Sequence, residues 1–448
     1  MSLPWRFASV DDYVDGTIIR LQSGCSKFKS LNIGKYFLHG SDLESHHVVL
    51  LLQHAKDNVH LTEVSLHGII LDAQVAASLL SLMGATPRKW EKIAFNFCHG
   101  EGVQILSAPT LIECIKINSC WIGRKEYLSL GLNLQLNRML TKLELYEEDL
   151  RGAFPGQALE DGLAITLSLQ TLEFGYCRFD DDGIESLAKG LSQNKSLLDF
   201  MCPGCELEDT QIAVLAQSLD SHPRLRHVKF FRNHCGVEGA TLLARILADE
   251  TERASSSQLV SLDLSYQQFE RAKKLDLALL SSSLSGNASL EDLVLSFNKL
   301  NDADAKMLAF GLRDNRSLQK LDLRANNIRD DGTIAIAEQL VTHSSLKKLY
   351  LFGNPFRKDG AAALLKAIRG NLDMEILNMD YNIGLYDSIQ FFTYLNQAGR
   401  RLLKDDSFNP ALWPSVLTRA KQVSEHSHQV CTHEDIIFNL VQGPALIR

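Results

Sequence analysis

Two groups of cysteine and histidine residues in this 448-residue sequence have the residue types needed for metal or redox chemistry. In the first group, Cys202 and Cys205 form a C-x-x-C pair, which is the spacing of half a zinc site or of a redox dithiol. The sequence contains no second C-x-x-C pair that would complete a set of four zinc ligands. We therefore expect Cys202 and Cys205 to be structural residues of the core.

The second group lies near the C-terminal end of the sequence and contains four side chains that can ligate a metal. Their spacing differs from that of a standard zinc finger, so we expect a solvated tail that holds no metal. The four residues are His426, His428, Cys431 and His433.

Sequence motifs for catalysis are missing. The sequence has no G-x-x-x-x-G-K-[ST] phosphate loop, no G-x-S-x-G nucleophile elbow and no H-E-x-x-H zinc motif. The segment Gly100-Glu101-Gly102 lacks the third glycine of a dinucleotide fingerprint. We predict a protein that is not an enzyme, with no catalytic residues, no cofactor and no metal.

The overall composition excludes several other classes of protein. The 46 basic and 54 acidic residues give a formal net charge of −8, which argues against a nucleic-acid partner. No apolar run is long enough to span a bilayer, and the first residues carry acids in place of a secretion signal. The nine cysteines are irregularly spaced and odd in number, which is typical of a reducing compartment. We expect a cytoplasmic monomer that does not bind membranes.

The elements that must position any site come from a tandem repeat with the frame L-x-x-L-x-L-x-x-(N/C)-x-L. The clearest copies begin at Leu290, Leu318 and Leu346, each 28 residues after the last. We number the residues of each copy from one, so that the asparagine or cysteine stands at frame position nine. The thirteen first positions are Phe28, Leu61, Trp90, Ile112, Leu140, Leu169, Leu197, Leu225, Leu259, Leu290, Leu318, Leu346 and Met374.

Each copy of the frame predicts one strand followed by one helix. Apolar residues at positions four and six alternate as in a strand with one buried face, and the shared period requires the strands to lie side by side in parallel. Helical stripes follow, as at Ile184, Leu187 and Leu191, and again at Ile334, Ala337 and Leu340. Packed helices are wider than paired strands, so the array should bend into a horseshoe with the strands on the concave face and the helices on the convex face.

Two irregular steps predict local departures from this pattern. The step from Trp90 to Ile112 is only 22 residues, so we expect a turn there instead of a helix. The longer steps between Leu225 and Leu290 predict insertions. We divide the chain into an N-terminal cap (1–27), about thirteen repeats (28–385) and a helical C-terminal cap and tail (386–448).

These repeats resemble leucine-rich repeats of the ribonuclease-inhibitor type, which are shared with Ran GTPase-activating proteins and NOD-like receptors. The resemblance covers about Phe28 to Tyr386 and implies an α/β, right-handed solenoid. The tail, with Leu412-Trp413-Pro414, is also similar to that of uncharacterised leucine-rich proteins of diatom algae.

Cysteines at position nine fit this family, which accepts asparagine or cysteine there because the side chain turns inward. The exception is Cys114, which occupies a variable strand position and is a candidate reactive thiol. We predict that six cysteines are buried in the core: Cys98, Cys120, Cys177, Cys202, Cys205 and Cys235.

Function is expected on the face formed by positions three, five, seven and eight, because these side chains lie between the buried frame residues. Many aromatic residues occur there, and aromatic and arginine side chains supply most hot spots of protein interfaces. The predicted partner-binding residues are Tyr146, Tyr176, Lys229, Phe231, Arg232, Tyr266, Phe297, Arg324, Tyr350, Phe352 and Tyr381.

Charges on the same face are mixed. Glu144, Glu147 and Glu173 form an acidic patch, and a basic patch including Arg226 and Lys229 follows along the chain. Such a surface suits an unidentified protein partner better than a phosphate backbone. We predict an intracellular protein-interaction scaffold. Two alternatives stay open: a small-GTPase activator of the Ran type, and a sensor or inhibitor similar to ribonuclease inhibitor.

Overall fold

The structure is a computed structural model. It describes residues 9–34, 43–84, 89–100, 112–120, 122–220, 222–248, 258–267, 277–343, 345–381, 383–397, 400 and 418. The tail group His426, His428, Cys431 and His433 lies outside these residues, as does Leu412-Trp413-Pro414. The chain divides into two compact units, Met1–Phe230 and Phe231–Arg448.

The first unit contains a sheet of eight parallel strands that pair in chain order. Its elements are α1 (Val10–Gln22), β1 (Ser30–Ile33), α2 (Ser45–Ala55), β2 (Glu63–His67), α3 (Ala73–Gly84), β3 (Trp90–Asn96), β4 (Ile112–Asn118), α4 (Arg124–Leu136), β5 (Lys142–Tyr146), α5 (Ala153–Ile165), β6 (Thr171–Gly175), α6 (Asp181–Gln193), β7 (Asp199–Met201), α7 (Asp209–Leu219) and β8 (His227–Lys229).

The second unit contains five parallel strands, again paired in chain order. Its elements are α8 (Val237–Leu247), β9 (Ser261–Asp263), α9 (Ala278–Gly286), β10 (Asp292–Val294), α10 (Asp302–Asp314), β11 (Lys320–Asp322), α11 (Asp330–Leu340), β12 (Lys348–Tyr350), α12 (Lys358–Gly370), β13 (Ile376–Asn378) and α13 (Tyr386–Gln397). The prediction of an α/β fold with parallel strands alternating with helices is confirmed.

In the short third repeat, the segment for which we expected a turn in place of a helix lies largely outside the described residues. Strand β3 pairs directly with β4, from Trp90 beside Ile112 to Asn96 beside Asn118. No helix stands between these two strands in residues 89–100, and residues 101–111 are outside the described part of the chain.

The core of each unit lies between the strands and the apolar stripes of the helices. In α6, Ile184, Leu187 and Leu191 are buried as predicted. In α11 the predicted stripe is wrong at one position, because Ile336 is buried whereas Ile334 is only partly buried. Ile336 lies four residues before Leu340 and therefore on the same face, which Ile334 does not share.

Frame position nine forms what we call the inner ladder, a row of buried polar side chains that tie one repeat to the next. In the second unit Asn326 Nδ2 donates to the carbonyl oxygens of Leu295 (3.0 Å) and Leu323 (2.8 Å). Its Oδ1 accepts the backbone N–H groups of Asn298 (2.9 Å) and Leu300 (3.1 Å). One asparagine thus satisfies four backbone groups that the turn would otherwise leave buried and unpaired.

Cysteines fill the same position in four repeats of the first unit, at Cys98, Cys120, Cys177 and Cys205. Cys177 Sγ donates to Leu145 O at 3.3 Å, and Cys205 Sγ donates to Phe174 O at 3.0 Å. Burial raises the pKa of the Cys177 and Cys202 thiols, which keeps both protonated. All six cysteines predicted to be in the core are buried.

Two helices of the second unit are capped by the helix that precedes them. Asp302 of α10 accepts the backbone N–H groups of Arg329 (2.7 Å) and Gly332 (3.0 Å) at the start of α11. Asp330 of α11 does the same for Arg357 (2.9 Å) and Gly360 (2.7 Å) at the start of α12. Each carboxylate satisfies free N–H groups and also interacts favourably with the helix dipole.

Candidate functional site

The open face of each unit consists of the side chains at frame positions three, five, seven and eight. Strand β2 shows why, because its side chains alternate between partly exposed and buried from Glu63 to His67. A strand places successive side chains on opposite sides, so the buried frame residues leave their neighbours on the open face. All eleven predicted partner-binding residues occupy frame positions of this face.

Position eight of the frame has a left-handed backbone in eleven repeats, which the spacing of the leucines does not reveal. Glycine adopts this conformation freely, whereas other residues pay about 1–2 kcal/mol for it. The sequence does contain a signal for this conformation, because three repeats have glycine at position eight. The position-eight residues with positive φ are Gly68, Phe97, Ser119, Glu147, Tyr176, Gly204, Arg232, Tyr266, Phe297, Ala325 and Gly353.

Four of these strained positions carry large aromatic side chains. The φ angles are 54° for Phe97, 55° for Tyr176, 56° for Tyr266 and 60° for Phe297. All four side chains are exposed, by between 36% and 54%. Glycine would adopt this backbone conformation without strain, so an exposed ring at the same position lowers the stability of the fold. Backbone strain of this kind concentrates at functional sites.

In the second unit the aromatic residues form a continuous cluster. Phe231 meets Tyr266 edge to face, with ring centroids 5.2 Å apart and an interplanar angle of 79°. Tyr266 stacks on Phe297 with centroids 4.0 Å apart and an angle of 15°. Stacked and edge-to-face pairs are the favoured geometries of aromatic rings, so the three side chains hold one another in place.

Arg324 is fixed beside this cluster by a carboxylate. Its Nε donates to both oxygens of Asp322, at 2.9 and 3.0 Å, and the Asp322 residue is only 1% exposed. The hydrogen bond from Arg324 to Asp322 raises the pKa of the guanidinium, which is a permanent cation. The same guanidinium lies 5.3 Å from the centroid of the Tyr350 ring. Phe352 and Tyr381 are exposed farther along the chain.

Two predicted aromatic residues of the first unit, Tyr146 and Tyr176, are packed against their own neighbours. The Tyr146 ring covers Gly175, where an added Cβ would overlap Cδ1 of the ring. The Tyr176 ring covers Gly204 in the same way, at 2.6 Å from Cε1. Glycine in the following repeat therefore makes room for each ring, and these two tyrosines have a packing role.

Charged groups of the first unit also pair among themselves. Lys142 Nζ lies 2.8 Å and Lys92 Nζ 3.7 Å from the Glu144 carboxylate. Burial disfavours the charged form of Glu144, but the hydrogen bond and charge of Lys142 outweigh burial and lower its pKa. The Tyr146 hydroxyl donates to Glu173, and Lys116 Nζ lies 4.3 Å from the Tyr146 ring centroid. Of the predicted acidic patch, Glu144 is thus paired with lysines, whereas Glu173 and Glu147 accept hydrogen bonds from the hydroxyl groups of Tyr146 and Ser119.

The remaining predicted residues are the two basic residues Lys229 and Arg232 and the candidate reactive thiol of Cys114. Lys229 ends β8 in the first unit, whereas Arg232 is exposed in the second. Cys114 is half-buried, and burial together with the nearby Glu144 charge raises the pKa of its thiol. A raised pKa lowers the thiolate fraction, so the structure does not favour the hypothesis of a reactive Cys114.

Neither a metal site nor a membrane span is found in the described part of the chain. No group of three or more His, Cys, Asp or Glu residues is placed there to hold a metal ion. Among the same residues, no helix has both the length and the apolar character needed to cross a membrane.

Comparison with known families agrees with the strand and helix pattern. A model of the leucine-rich repeat matches residues 167–188, 286–309 and 314–337. The chain contains leucine-rich repeats. No curated protein sequence matches the chain.

Several solved structures resemble these leucine-rich repeats at low identity. An internalin (inlF) from Listeria monocytogenes is 17% identical, with a TM-score of 0.42, over 84% of this chain and 96% of its own. The actin-binding site 2 of leiomodin-1 is 16% identical, with a TM-score of 0.31, over 37% of this chain and 92% of its own. The C-terminal domain of a Caenorhabditis elegans tropomodulin is 14% identical, with a TM-score of 0.31, over 37% of this chain and 96% of its own.

Proposed function

We propose that the open face of the second unit binds a protein partner, and that the chain is a non-enzymatic interaction scaffold. The observation that carries this proposal is the set of exposed aromatic side chains at strained positions. Tyr266 and Phe297 both have positive φ and are 36% and 42% exposed. Rigid, partly exposed rings lose little entropy on binding and bury much area, which are the properties of interface hot spots.

The same surface carries fixed charge beside the rings, which suits a protein partner. Arg324 and Asp322 form a pre-organised pair whose geometry needs no rearrangement on binding. Lys320 and Asp292 form a second pair at 2.8 Å. A mixed surface with paired charges gives orientation and specificity to a protein interface.

Two further features support a ribonuclease-inhibitor type of repeat and a cytoplasmic location. The repeat step of 28 or 29 residues over most of the chain is that of the ribonuclease-inhibitor type of leucine-rich repeat. The eight cysteines of the described residues are free thiols, which supports a cytoplasmic location.

A matched pair of photocrosslinking variants tests the proposed face. A photoreactive phenylalanine analogue replaces Phe352, which is 47% exposed on the open face, or Phe310, which is 58% exposed on helix α10. Crosslinking in the cells of origin should give a discrete adduct at position 352 and none at position 310. Equal adducts at both positions, or an adduct at position 310 alone, would contradict binding on the open face.

Combined substitutions check the same assignment in a purified system. We expect Phe297→Ser with Phe352→Ser to abolish capture of the crosslinked partner, because two exposed rings are removed without altering the buried frame. Unchanged thermal unfolding of this variant is the control for folding. Retained capture by a folded double variant would refute the proposed face.

A further inference from the structure

An open cavity of about 530 Å³ lies where the chain leaves strands β12 and β13 of the second unit, and we call it the β12–β13 cavity. One wall is the segment from Asn354 to Lys358, which leads into helix α12. The other wall consists of Asp380, Ile383 and Gly384, which follow β13. The volume is in the range of cavities that hold a small ligand or a side chain of a partner.

The β12–β13 cavity adjoins the open face of the second unit. Phe352 comes two residues before Asn354 on one wall, and Tyr381 comes two residues before Ile383 on the other. These aromatic side chains are 47% and 81% exposed. They belong to consecutive repeats whose strands pair in register, so a partner that covers both rings also reaches the cavity.

Two exposed basic residues, Arg357 and Lys358, line the β12–β13 cavity. Neither side chain forms an ion pair or a hydrogen bond with another residue that the structure describes. In this respect both differ from Arg324, which Asp322 holds in a bidentate pair. Cations that are not compensated beside a concave surface raise the local concentration of anionic groups.

Lys358 stands at a frame position that is acidic in the two preceding repeats. Asp302, Asp330 and Lys358 all occupy position thirteen and follow one another at steps of 28 residues. The two aspartates cap the next helix, whereas a lysine has no acceptor for an N–H group. The start of α12 is not itself the site, because Asp330 already accepts the N–H groups of Arg357 and Gly360.

One carboxylate also lines the cavity and limits the charge of the ligand. Asp380 Oδ2 accepts the Gly353 N–H at 2.9 Å, and no described residue donates to Oδ1. The two basic residues and this one acid give the lining a net charge of +1. A carboxylate of charge −1 matches that value, whereas a phosphate of about −1.5 to −2 would be repelled more strongly by Asp380. The Oδ1 atom of Asp380 can accept an N–H group of the same ligand.

We infer that the β12–β13 cavity binds a glutamate or aspartate side chain of the partner protein. The carboxylate lies against Arg357 and Lys358, and a backbone N–H group of the same segment donates to Asp380. This inference rests on the proposed function, which supplies the partner whose acidic segment passes Phe352 and Tyr381.

The first test uses small probes on the purified full chain. N-acetylglutamic acid N-methylamide carries the side-chain carboxylate together with peptide N–H groups, and N-acetylglutamine N-methylamide is its neutral counterpart. Titrations are followed by saturation-transfer NMR. We expect the glutamate probe to bind about tenfold more tightly, the effect of one charge-assisted hydrogen bond. Equal affinity of the two probes would overturn the inference, as would tighter binding of N-acetyl-O-phosphoserine N-methylamide.

Matched variants assign this preference to the cavity. Arg357→Gln with Lys358→Gln should bind both probes equally, because the uncompensated cations are gone. Lys347→Gln with Lys366→Gln removes the same charge from two exposed lysines that do not line the cavity, and it should keep the tenfold preference. Thermal unfolding checks that both variants fold, and Lys358→Gln alone should retain about a threefold preference if the first double variant does not fold. A preference that persists in folded Arg357→Gln with Lys358→Gln would overturn the assignment.

Carbodiimide coupling tests the source of the carboxylate once the partner has been captured through position 352. This reagent joins a lysine amine to a carboxylate only when the two groups touch. We expect an amide bond between Lys358 and a glutamate or aspartate of the partner, and none at Lys366, which is also exposed on α12. Coupling at Lys366 alone, or at neither lysine, would contradict the inference.

The two proposals fail in different ways. If Phe297→Ser with Phe352→Ser abolishes capture of the crosslinked partner while Arg357→Gln with Lys358→Gln leaves capture unchanged, the open face is the binding surface and the inference about the cavity is wrong. If capture survives in both variants, the proposed function itself is wrong.

Discussion

The two units build the same repeat frame with different side-chain chemistry. At frame position nine four repeats of the first unit have a cysteine, such as Cys177, whose thiol donates to Leu145 O at 3.3 Å and also lies 3.7 Å from Gly175 O. The second unit uses asparagines such as Asn326, whose amide both donates and accepts. A thiol is a weak donor, so the turns of the second unit are held by more and stronger hydrogen bonds.

The open faces differ in a corresponding way. In the first unit lysines, glutamates and tyrosines satisfy one another, as Glu144 and Lys142 do. In the second unit, rings remain exposed above firmly held turns, as Phe297 does beside Asn298. The difference lies in what the rings contact: Phe231, Tyr266 and Phe297 of the second unit pack on one another, whereas Tyr146 and Tyr176 of the first unit cover glycines of the following repeat.

The largest effect that would test this comparison is expected in the inner ladder. Asn326→Ala leaves up to four backbone groups buried without partners and should lower the free energy of unfolding by about 3 kcal/mol. Cys177→Ala removes one weak hydrogen bond and should cost about 1 kcal/mol. Urea denaturation of both variants provides the measurement. Equal losses would show that the two ladders are energetically equivalent.

A second prediction concerns acid stability, which should be similar in the two units. His222 and His343 replace the asparagines that end other helices, and Leu346 N–H donates to His343 Nδ1 as Met374 N–H donates to Asn371. Burial, followed by the charge of Arg316, lowers the pKa of His343 to about 4. Burial, followed by the charges of Lys195 and Arg224, lowers that of His222 to about 4.

The sign of the pH effect follows from proton binding. Between pH 6.5 and pH 4 the unfolded chain binds more protons than the folded chain, so stability falls as the pH falls through this window. His343→Asn should retain about 2 kcal/mol more stability than the wild type at pH 4.5, relative to pH 7. His222→Asn is the matched variant in the first unit. The free energy of unfolding is measured by denaturation at pH 7 and at pH 4.5. The same difference between wild type and variant at both pH values would contradict the prediction.

The smallest expected effect is the coupling between stacked rings. A double-mutant cycle with Tyr266→Leu and Phe297→Leu should give a coupling free energy of about 1 kcal/mol, the usual value for a stacked pair. The control cycle uses Phe97→Leu and Tyr176→Leu, which lie on β3 and β6 turns with two strands between them. We expect no coupling there. A coupling of the same size in both cycles would remove the distinction between the open faces.

Much of the fold was predictable from the spacing of leucines alone. Buried frame residues recur with a fixed period, and burial together with alternation is sufficient to identify strands such as β10 and helices such as α6. The inward orientation of Cys177 and Cys205 also followed, because position nine has one role throughout the frame.

The finer geometry of the site could not be obtained in this way. Whether a tyrosine covers the next repeat or stands exposed depends on its neighbour across the sheet, as Gly175 shows for Tyr146. The bidentate pair of Asp322 and Arg324 depends on side-chain conformations that frame spacing does not encode. The left-handed turn at position eight is disguised in the sequence wherever a residue such as Phe297 replaces glycine.

The helix caps formed by the Asp302 and Asp330 carboxylates limit how this part of the chain can be re-engineered. The N-terminal end of helix α11 is capped by a carboxylate of α10, and that of α12 by a carboxylate of α11. A repeat transplanted without the repeat before it would lack the carboxylate that accepts the N–H groups at the start of its helix. Grafting a new binding surface onto this scaffold therefore calls for exchange of at least two consecutive repeats, with the junction placed after the aspartate and not at the strand.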